Sequence, residues 1–344
     1  MTAAVPNAPE RDRDLGTNPL DYLRRRGYVH DVSDPDGLFD AFARGPVTAY
    51  IGFDPTAPSL HVGNLLGIMM LAVLQRFGHR PIALAGGGTA LVGDPSGKTS
   101  VRALVSEAAI RDNLPRIQSQ FAHYLDFEGD RFGQNPPALL LNNADWLLAL
   151  RYIPFLRDIG RHFSVNEMLT AETYRTRLET TGLNFVEFNY RLVQAYDFLH
   201  LFRTEGCTLQ MGGSDQWGNI VAGVELIRKA DEGKAFALVS PLLTTASGQK
   251  MGKSEGNSVW LDPTLTSPFD FYQYWINVDD LDVERLLRLY TFEPDDRIDV
   301  LTSVEGAALR EAKRVLAFDV TALTHGREAA EQAEITARAT FEAG

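Results

Sequence analysis

The sequence predicts an α/β protein in which a doubly wound parallel sheet is followed by a smaller all-α domain. Short apolar runs alternate with longer helical patterns from residue 47 to about residue 230, as strands and covering helices do in a parallel sheet. From residue 281 to 341 the sequence lacks strand patterns and is rich in Ala, Leu, Glu and Arg. The length of 344 residues also exceeds that of a typical single domain. We therefore expect two domains.

The predicted elements alternate along the first two thirds of the chain. Each apolar run is short enough for a buried strand and is followed by a pattern of helical period. The predicted strands are 47–53, 81–85, 138–141 and 208–211, and the helical segments are 60–77, an amphipathic region at 146–169, 188–202 and a helix that begins at Ser214.

Composition shifts predict the domain boundaries. Residues 1–19 are expected to form a loose tail, because prolines, alanines and charges are mixed there without periodicity. The α/β domain is expected over 20–240. Residues 241–267 are rich in Ser, Thr, Gly and Lys and are expected to link it to an α-helical domain over 268–344.

Composition also excludes several classes of protein. Cys207 is the only cysteine, which excludes internal disulfides and cysteine-based zinc sites. The longest uncharged apolar run, 65–74, is too short to cross a bilayer, and no signal peptide is recognisable, so we expect a cytoplasmic protein without a membrane partner. The net charge of −12 argues against a generally basic surface for nucleic acid, so phosphate contacts must use local basic clusters.

The segment GFDPTAPSLHVGN, residues 52–64, connects the first predicted strand to a helix. Ligands bind at this end of the strands in open parallel sheets. Ser59 is predicted as the N-cap, which places His61 and Gly63 in the first helical turn, where free N–H groups favour an anion. A purely structural histidine at the helix start is the alternative.

The stretch GDPSGKTS, residues 93–100, resembles a phosphate-binding P-loop but has only three residues between its glycines instead of four. We therefore do not expect a P-loop NTPase. Lys98 and Arg102 still place two cations four residues apart beside glycine-rich backbone. A mobile phosphate clamp and a solvated surface loop are both compatible with this spacing.

Tyr190, Gln194 and Asp197 have the spacing i, i+4, i+7 and so share one face of the predicted helix 188–202. Apolar residues surround the rest of this helix, which indicates burial. Buried polar groups, and a carboxylate above all, are costly unless they are hydrogen-bonded. Either a polar network within the protein or the polar groups of a ligand must therefore complete this face.

Two further segments suit nucleotide binding. The segment GGSDQ, residues 212–216, lies at a strand-turn-helix junction, where backbone can contact a nucleotide and Asp215 can accept from ribose hydroxyls. A tight turn with an acid at the helix start is the alternative. The segment KMGKS, residues 250–254, places two lysines in a glycine-containing loop between the domains, where solvated surface lysines are the alternative.

Together these segments closely resemble the bacterial-type tyrosyl-tRNA synthetases, a family of class I aminoacyl-tRNA synthetases. The resemblance extends from about Leu20 to the end. HVGN at 61–64 matches the HIGH signature and KMGKS matches the KMSKS signature. In three departures, Asn64 replaces the second His, Gly252 replaces the first Ser, and Thr99 replaces a lysine of some relatives. The small C-terminal RNA-binding domain usual in the family has no counterpart before Gly344.

The resemblance implies a Rossmann-like catalytic domain with a dimer-interface insertion, and a homodimer. It implies a tyrosine–tRNA ligase that forms tyrosyl-adenylate from L-tyrosine and ATP with Mg²⁺ and then transfers tyrosine to tRNA(Tyr), with no tightly bound metal. The catalytic residues that it implies are Thr56, His61, Lys98, Arg102, Lys250 and Lys253. The implied tyrosine-binding residues are Tyr50, Asp94, Tyr190, Gln194, Asp197 and Gln210. The implied ATP-binding residues are Gly52, Asp54, His61, Gly63, Asn64, Gly213, Asp215, Gln216, Lys250 and Lys253.

Three alternatives remain at this point. A tryptophanyl-tRNA synthetase is disfavoured because Tyr50 and Asp197 suit a phenol. A nucleotidylyltransferase of the same fold explains HVGN but not the polar face of Tyr190 together with KMGKS. A noncatalytic RNA-binding relative has no evident need for His61, Lys250 and Lys253 together.

Overall fold

The structure is a computed structural model that describes residues 16–96, 106–133, 135–170, 172–180, 182–246, 248, 251, 253–254 and 257–342. The predictions made for Lys98, Thr99, Arg102, Lys250 and Gly252 therefore lie outside the described residues. For Lys253 the description covers the backbone.

The described residues form one six-stranded sheet in the order β1-β6-β5-β2-β3-β4. From β2 the chain builds β3 and β4 on one side, and β5 and β6 lie on the other, so the order reverses between β2 and β5. All neighbours pair in parallel except β1, which is antiparallel to β6. This confirms the doubly wound sheet. The strands are β1 Asp31–Val32, β2 Thr48–Phe53, β3 Arg80–Ala85, β4 Leu139–Asn142, β5 Cys207–Gly213 and β6 Phe236–Ser240.

Helices cover both faces of this sheet. Nearly every residue of α3 is buried, because its apolar side chains pack against one face of the sheet and against the helical part of the chain. On the other face, Tyr50 and Ile82 pack against α10. The helices of this part are α1 Pro19–Arg26, α2 Pro35–Arg44, α3 Val62–Arg76, α4 Thr89–Val92, α5 Glu107–Phe121, α6 Ala144–Leu147, α7 Tyr152–Asp158, α8 Val165–Thr170, α9 Glu172–Glu179, α10 Phe185–Glu205 and α11 Trp217–Asp231.

The amphipathic region predicted at 146–169 consists of α6, α7, a 3₁₀ turn and α8, and Tyr152 and Ile153 are exposed on it. One local prediction is wrong. Ser59 is not the N-cap of α3, because its hydroxyl donates to the Leu60 carbonyl at 2.6 Å while His61 occupies the capping position.

The C-terminal part is helical, as predicted, and shares a continuous apolar core with the α/β part. Trp275 lies fully inside it. The N-terminal segment ties the two parts together, because the Tyr28 hydroxyl donates to the Leu289 carbonyl and Arg26 pairs with Asp295. The elements are the hairpin β7 Lys253–Ser254 and β8 Asn257–Ser258, then α12 Pro268–Ile276, α13 Val283–Tyr290, α14 Asp295–Thr302, α15 Arg310–His325 and α16 Arg327–Glu342.

No helix within the described ranges combines the length and apolar character needed to cross a lipid bilayer.

Candidate active site

The candidate site lies where the carboxyl ends of β2 and β5 meet, at the reversal of the strand order. Tyr50 on β2 stands opposite Gln210 on β5 in the parallel register. Gly52, two residues further along β2, faces open space, because a methyl group built there would meet no atom within 4 Å. A ligand can therefore approach the backbone at the end of β2.

Asp197 is a buried carboxylate held by two donors. Its Oδ2 accepts from Asn143 Nδ2 at 2.8 Å, and its Oδ1 accepts from Trp146 Nε1 at 2.7 Å. Burial raises the pKa of Asp197 from 3.8 to about 7, although these two hydrogen bonds lower it, and the charge of Asp54 raises it further. Burial and the charge of Asp197 also raise the pKa of Tyr50, so the two groups interact across the same small space.

Three polar atoms around Asp197 are buried without a hydrogen-bond partner among the described residues: the Tyr50 hydroxyl, Gln194 Oε1 and Gln210 Oε1. Such groups are rare in folded proteins, because leaving a buried polar atom unpaired costs about 1–3 kcal/mol. Three of them in one place indicate a polar ligand that completes the network.

Helix α10 places the polar face predicted from the sequence inside this region. Tyr190 and Asp197 are buried, and Gln194 projects between them one turn apart. The helix starts firmly because Asn184 and Glu187 form a capping box, in which each side chain bonds the other's backbone N–H. A network within the protein accounts for Asp197, which has protein donors. Gln194 Oε1 has no partner in the described part of the chain, so a ligand is the alternative that remains for it.

Asp94 connects this pocket to the nucleotide side. Its Oδ2 accepts from Gln216 Nε2 at 2.6 Å, and its Oδ1 accepts from the Ser96 N–H at 2.9 Å. Ser96 in turn accepts from Asn219 on α11 at 3.2 Å. A predicted tyrosine-binding residue and a predicted ATP-binding residue are thus in direct contact.

The segment HVGN forms the start of α3 through an unusual cap. His61 Nδ1 accepts from the Gly63 N–H at 2.9 Å, and Asn64 Oδ1 accepts from the His61 N–H at 3.1 Å. Gly63 is required here, since a methyl group would lie 2.7 Å from the imidazole and 3.4 Å from the Met251 carbonyl. The same close approach brings the KMGKS segment, through Met251, against HVGN.

The segment GGSDQ forms a 3₁₀ turn, Ser214–Gln216, that leads into α11. A methyl group at Gly213 would lie 2.6 Å from Asp215 Oδ1, so only glycine lets that carboxylate fold back over the turn. Near the end of β2, Thr56 lies in a tight turn in which its N–H donates to the Asp54 carbonyl at 2.8 Å. These placements bring Asp54, Thr56, Gly213 and Asp215 to the end of the sheet at which β2 and β5 finish.

Sequence reasoning missed Asn143 and Trp146, the two donors to Asp197. A signal was available for Asn143, because it directly follows β4 and therefore lies at the same edge of the sheet as the ends of β2 and β5. For Trp146 no local pattern indicates the contact, since 51 residues separate it from Asp197.

No group of three or more His, Cys, Asp or Glu side chains in the described ranges is arranged to hold a metal ion.

Comparison with protein families matches residues 43–342 to the model for class I tRNA synthetases (W and Y). A tyrosine–tRNA ligase from Desulfosudis oleivorans is 55% identical over 323 residues, which are 94% of this chain and 73% of that protein. A tyrosine–tRNA ligase from Brucella abortus is 54% identical over 328 residues, which are 94% of this chain and 78% of that protein.

Solved structures give the same result. A C-terminally truncated mitochondrial tyrosyl-tRNA synthetase from Aspergillus nidulans superposes with a TM-score of 0.85 at 32% identity, covering 96% of this chain and 97% of that one. A tryptophanyl-tRNA synthetase from Plasmodium falciparum shares the fold at a TM-score of 0.62 and 16% identity, over 90% of this chain and 84% of that one.

Proposed function

Because the chain belongs to the tyrosine–tRNA ligases of the class I tRNA synthetases, we propose that it forms tyrosyl-adenylate and pyrophosphate from L-tyrosine and ATP and then transfers tyrosine to tRNA(Tyr). The observation that carries this proposal is the buried pair of Tyr50 and Asp197. Tyr50 has an unpartnered hydroxyl among the described residues, and Asp197 is an acceptor held in place by Asn143 and Trp146.

This pair suits a phenol better than the side chains of competing amino acids. A phenolic hydroxyl both donates and accepts, so it can donate to Asp197 and accept from Tyr50 at once. The indole N–H of tryptophan only donates, and phenylalanine does neither. A site built to bond a hydroxyl rejects the analogue that lacks it, because its buried polar groups are then left unpaired.

The remaining polar groups of the pocket suit the α-ammonium group. Asp94, Tyr190, Gln194 and Gln210 are the residues that we assign to it. Support comes from the carbonyl oxygens of Gln194 and Gln210, which are buried acceptors without partners in the described part of the chain. An ammonium group supplies three donors and no acceptor, which matches such a set of oxygens.

The nucleotide occupies the sheet edge between HVGN and GGSDQ. Gly52 faces open space and lets the nucleotide approach its backbone, and we assign Gly63 and Gly213 to the same site. Asp54, Asn64, Asp215 and Gln216 supply polar contacts to the adenosine part. The start of α3 offers backbone N–H groups and a helix dipole to the phosphates, with Thr56 and His61 beside it. Lys98, Arg102, Lys250 and Lys253 complete the site as cations that close on the departing pyrophosphate.

A carboxylate that attacks the α-phosphate needs no general base. The residues therefore act by positioning and by stabilising the charge that develops on the phosphates. Contacts that strengthen in the transition state raise the rate rather than the affinity for ATP. Mg²⁺ bound together with ATP would supply positive charge to the phosphates.

The test is exchange of labelled pyrophosphate into ATP with each amino acid in turn. We expect exchange with L-tyrosine and negligible exchange with phenylalanine or tryptophan. Equal exchange with tryptophan would contradict the assignment and favour the sibling enzyme, and no exchange with any amino acid would favour a noncatalytic relative.

The proposal includes a homodimer and a cytoplasmic location. The support for the homodimer is a set of exposed apolar side chains in and around α7 and at the start of α10: Leu148, Tyr152, Ile153, Leu156, Phe185 and Val186. Large apolar side chains that cluster on a surface often mark a contact with another protein. Pairing with a second copy of this chain would cover them.

Light scattering at micromolar concentration tests the dimer. Ile153→Asp is expected to give monomers, because it puts a charge at the most exposed of these side chains. Val300→Asp is the matched control, since Val300 is equally exposed but lies on α14. A monomeric wild-type protein would refute the dimer.

A further inference from the structure

Two carboxylates that belong to opposite ends of the candidate site are connected by a short chain of buried hydrogen bonds. Asn143 Nδ2 donates to Asp197 Oδ2 at 2.8 Å and to Thr89 Oγ1 at 3.0 Å. The Thr89 hydroxyl donates to Asp54 Oδ1 at 3.2 Å. We call this chain, Asp197–Asn143–Thr89–Asp54, the relay. It runs from the phenol-binding carboxylate to the loop that receives ATP.

The direction of every bond in the relay is determined by its surroundings. Asn143 Oδ1 accepts from the Gly88 N–H at 2.7 Å, so the amide nitrogen must face Asp197 and Thr89. Its two protons are then both used. Because an amide nitrogen cannot accept, the single proton of the Thr89 hydroxyl is left for Asp54. Asn143 and Thr89 are almost completely buried, so water does not compete for these bonds.

The turn after β3 is shaped to admit the relay. A methyl group at Gly86 would lie 2.3 Å from Asp54 Oδ1 and 2.7 Å from Thr89 Oγ1. The contact between Asp54 and Thr89 therefore requires glycine at position 86. Gly88 has its own function in the relay, since its N–H orients the Asn143 amide.

Resting on the proposed function, we propose that Thr89 is a positioning residue for the ATP end of the site, which orients Asp54 through its hydroxyl while Asn143 joins it to the tyrosine end. Loss of the Thr89 hydroxyl removes a donor from Asp54. Asp197 keeps both of its donors, Asn143 and Trp146. It also leaves one Asn143 N–H without its acceptor, but that N–H is not the one that bonds Asp197, so the larger effect falls on the ATP end. A general structural defect would not reproduce this difference.

The experiment compares Thr89→Val, which has the same shape without the hydroxyl, with Thr89→Ser, which retains it. The KM for ATP is measured by tyrosine-dependent pyrophosphate exchange, and the Kd for labelled L-tyrosine by equilibrium dialysis. We expect Thr89→Val to raise the KM for ATP about tenfold, the size of one lost hydrogen bond to a charged group, with the Kd for tyrosine within about twofold of wild type. Thr89→Ser is expected to restore most of the KM.

Gly86→Ala tests the same contact without removing the hydroxyl, and it covers the case in which Thr89→Val fails to fold. It is expected to raise the KM for ATP and to leave the Kd for tyrosine unchanged. Asn143→Ala, which reaches both ends, is expected to weaken both. A wild-type KM for ATP in Thr89→Val, or in Gly86→Ala if only that variant folds, would overturn the positioning role, and so would an equal loss of tyrosine binding. Absence of tyrosine-dependent exchange in the wild type would instead overturn the proposed function.

Discussion

The two ends of the candidate site are built from different material. At the phenol end, Asp197 and Tyr50 are buried side chains on a helix and a strand, and Asn143 and Trp146 hold the carboxylate in place. At the phosphate end, the described contacts are largely backbone: the start of α3, with His61 as its cap and the Met251 carbonyl close by. We therefore expect amino-acid choice to depend on buried side chains and phosphate chemistry to depend on a more exposed helix start.

The largest expected effect is at the phenol end. Asp197→Asn places an amide nitrogen against the N–H group of Asn143 or Trp146, so at least one buried donor loses its partner. We expect the free energy of transition-state stabilisation, measured by kcat/KM for tyrosine in pyrophosphate exchange, to decrease by about 3–6 kcal/mol. This is the sum of two lost hydrogen bonds to a charged group.

Tyr50→Phe serves as the comparison for that variant, because it removes a hydroxyl and leaves Asp197 and its donors intact. Its loss of kcat/KM is expected to be smaller. If Asp197→Asn binds and activates tyrosine like the wild type, the phenol is not recognised at this end.

At the phosphate end, Lys253→Ala is expected to slow adenylate formation by raising its activation free energy about 2–4 kcal/mol, with little change in the Kd for tyrosine. The lysine is expected to contact pyrophosphate only as it departs. Single-turnover adenylation with separate tyrosine titration makes the distinction. An unchanged rate combined with much weaker tyrosine binding would show that Lys253 acts at the tyrosine end and would contradict this prediction.

The pH dependence distinguishes the two ends by a smaller effect. Asp197 has its pKa raised from 3.8 to about 7, so in the empty protein its carboxyl is protonated well above the usual range. The ionised carboxylate accepts a hydrogen bond from the phenolic O–H. The affinity for tyrosine is therefore expected to fall by up to about tenfold for each pH unit below 7. Asp197→Asn should abolish this dependence, and Lys253→Ala should retain it.

The same shift affects stability with a defined sign. The folded state binds the Asp197 proton more tightly than the unfolded chain does, and this protonation stabilises the folded state at low pH. That stabilisation is lost as the pH rises from about 4 to about 7. Urea unfolding of wild type and Asp197→Asn across this range measures the difference. A wild-type curve that rises with pH relative to the variant would contradict the raised pKa.

The smallest expected effect concerns the cap of α3. His61→Ala should lower the free energy of unfolding by about 1 kcal/mol, the usual cost of a lost N-cap. His61→Asn keeps an acceptor for the Gly63 N–H and should retain that stability. Both variants are expected to lose activity, because neither has an imidazole beside the phosphates. If the two variants are destabilised equally, the loss of stability does not come from the missing acceptor for the Gly63 N–H.

Much of the sheet could be predicted because several of its strands are visible in the sequence as short apolar runs. The apolar runs at 47–53 and 81–85 correspond to β2 and β3 within a residue, since a strand buried on both faces must be continuously apolar. Strands β1 and β6 and helices α1, α2 and α5 were not predicted. Strands β1 and β6 pair with each other, Asp31 opposite Val239, and no local pattern indicates a contact so distant in sequence.

The segment around α7 shows what hydrophobic periodicity leaves open. Its apolar residues predicted an amphipathic region, and Tyr152 and Ile153 are exposed on it. Hydrophobic periodicity reports that a face will be covered, but it does not say whether the cover is the same chain or another one.

By itself, the sequence determined the alternation of strands and helices and the identity of the chemical groups, including the polar face of Tyr190, Gln194 and Asp197. These follow from local periodicity and residue type. Which of these groups meet depends on the tertiary structure. It places Asn143 and Trp146 on Asp197 and Thr89 on Asp54, and it brings the Met251 carbonyl close to Gly63. The reason is geometric: a hydrogen bond requires its two atoms within about 3 Å. The hydrogen-bonded partners here are 35 to 54 residues apart and reach that distance only because the sheet brings the ends of its strands together.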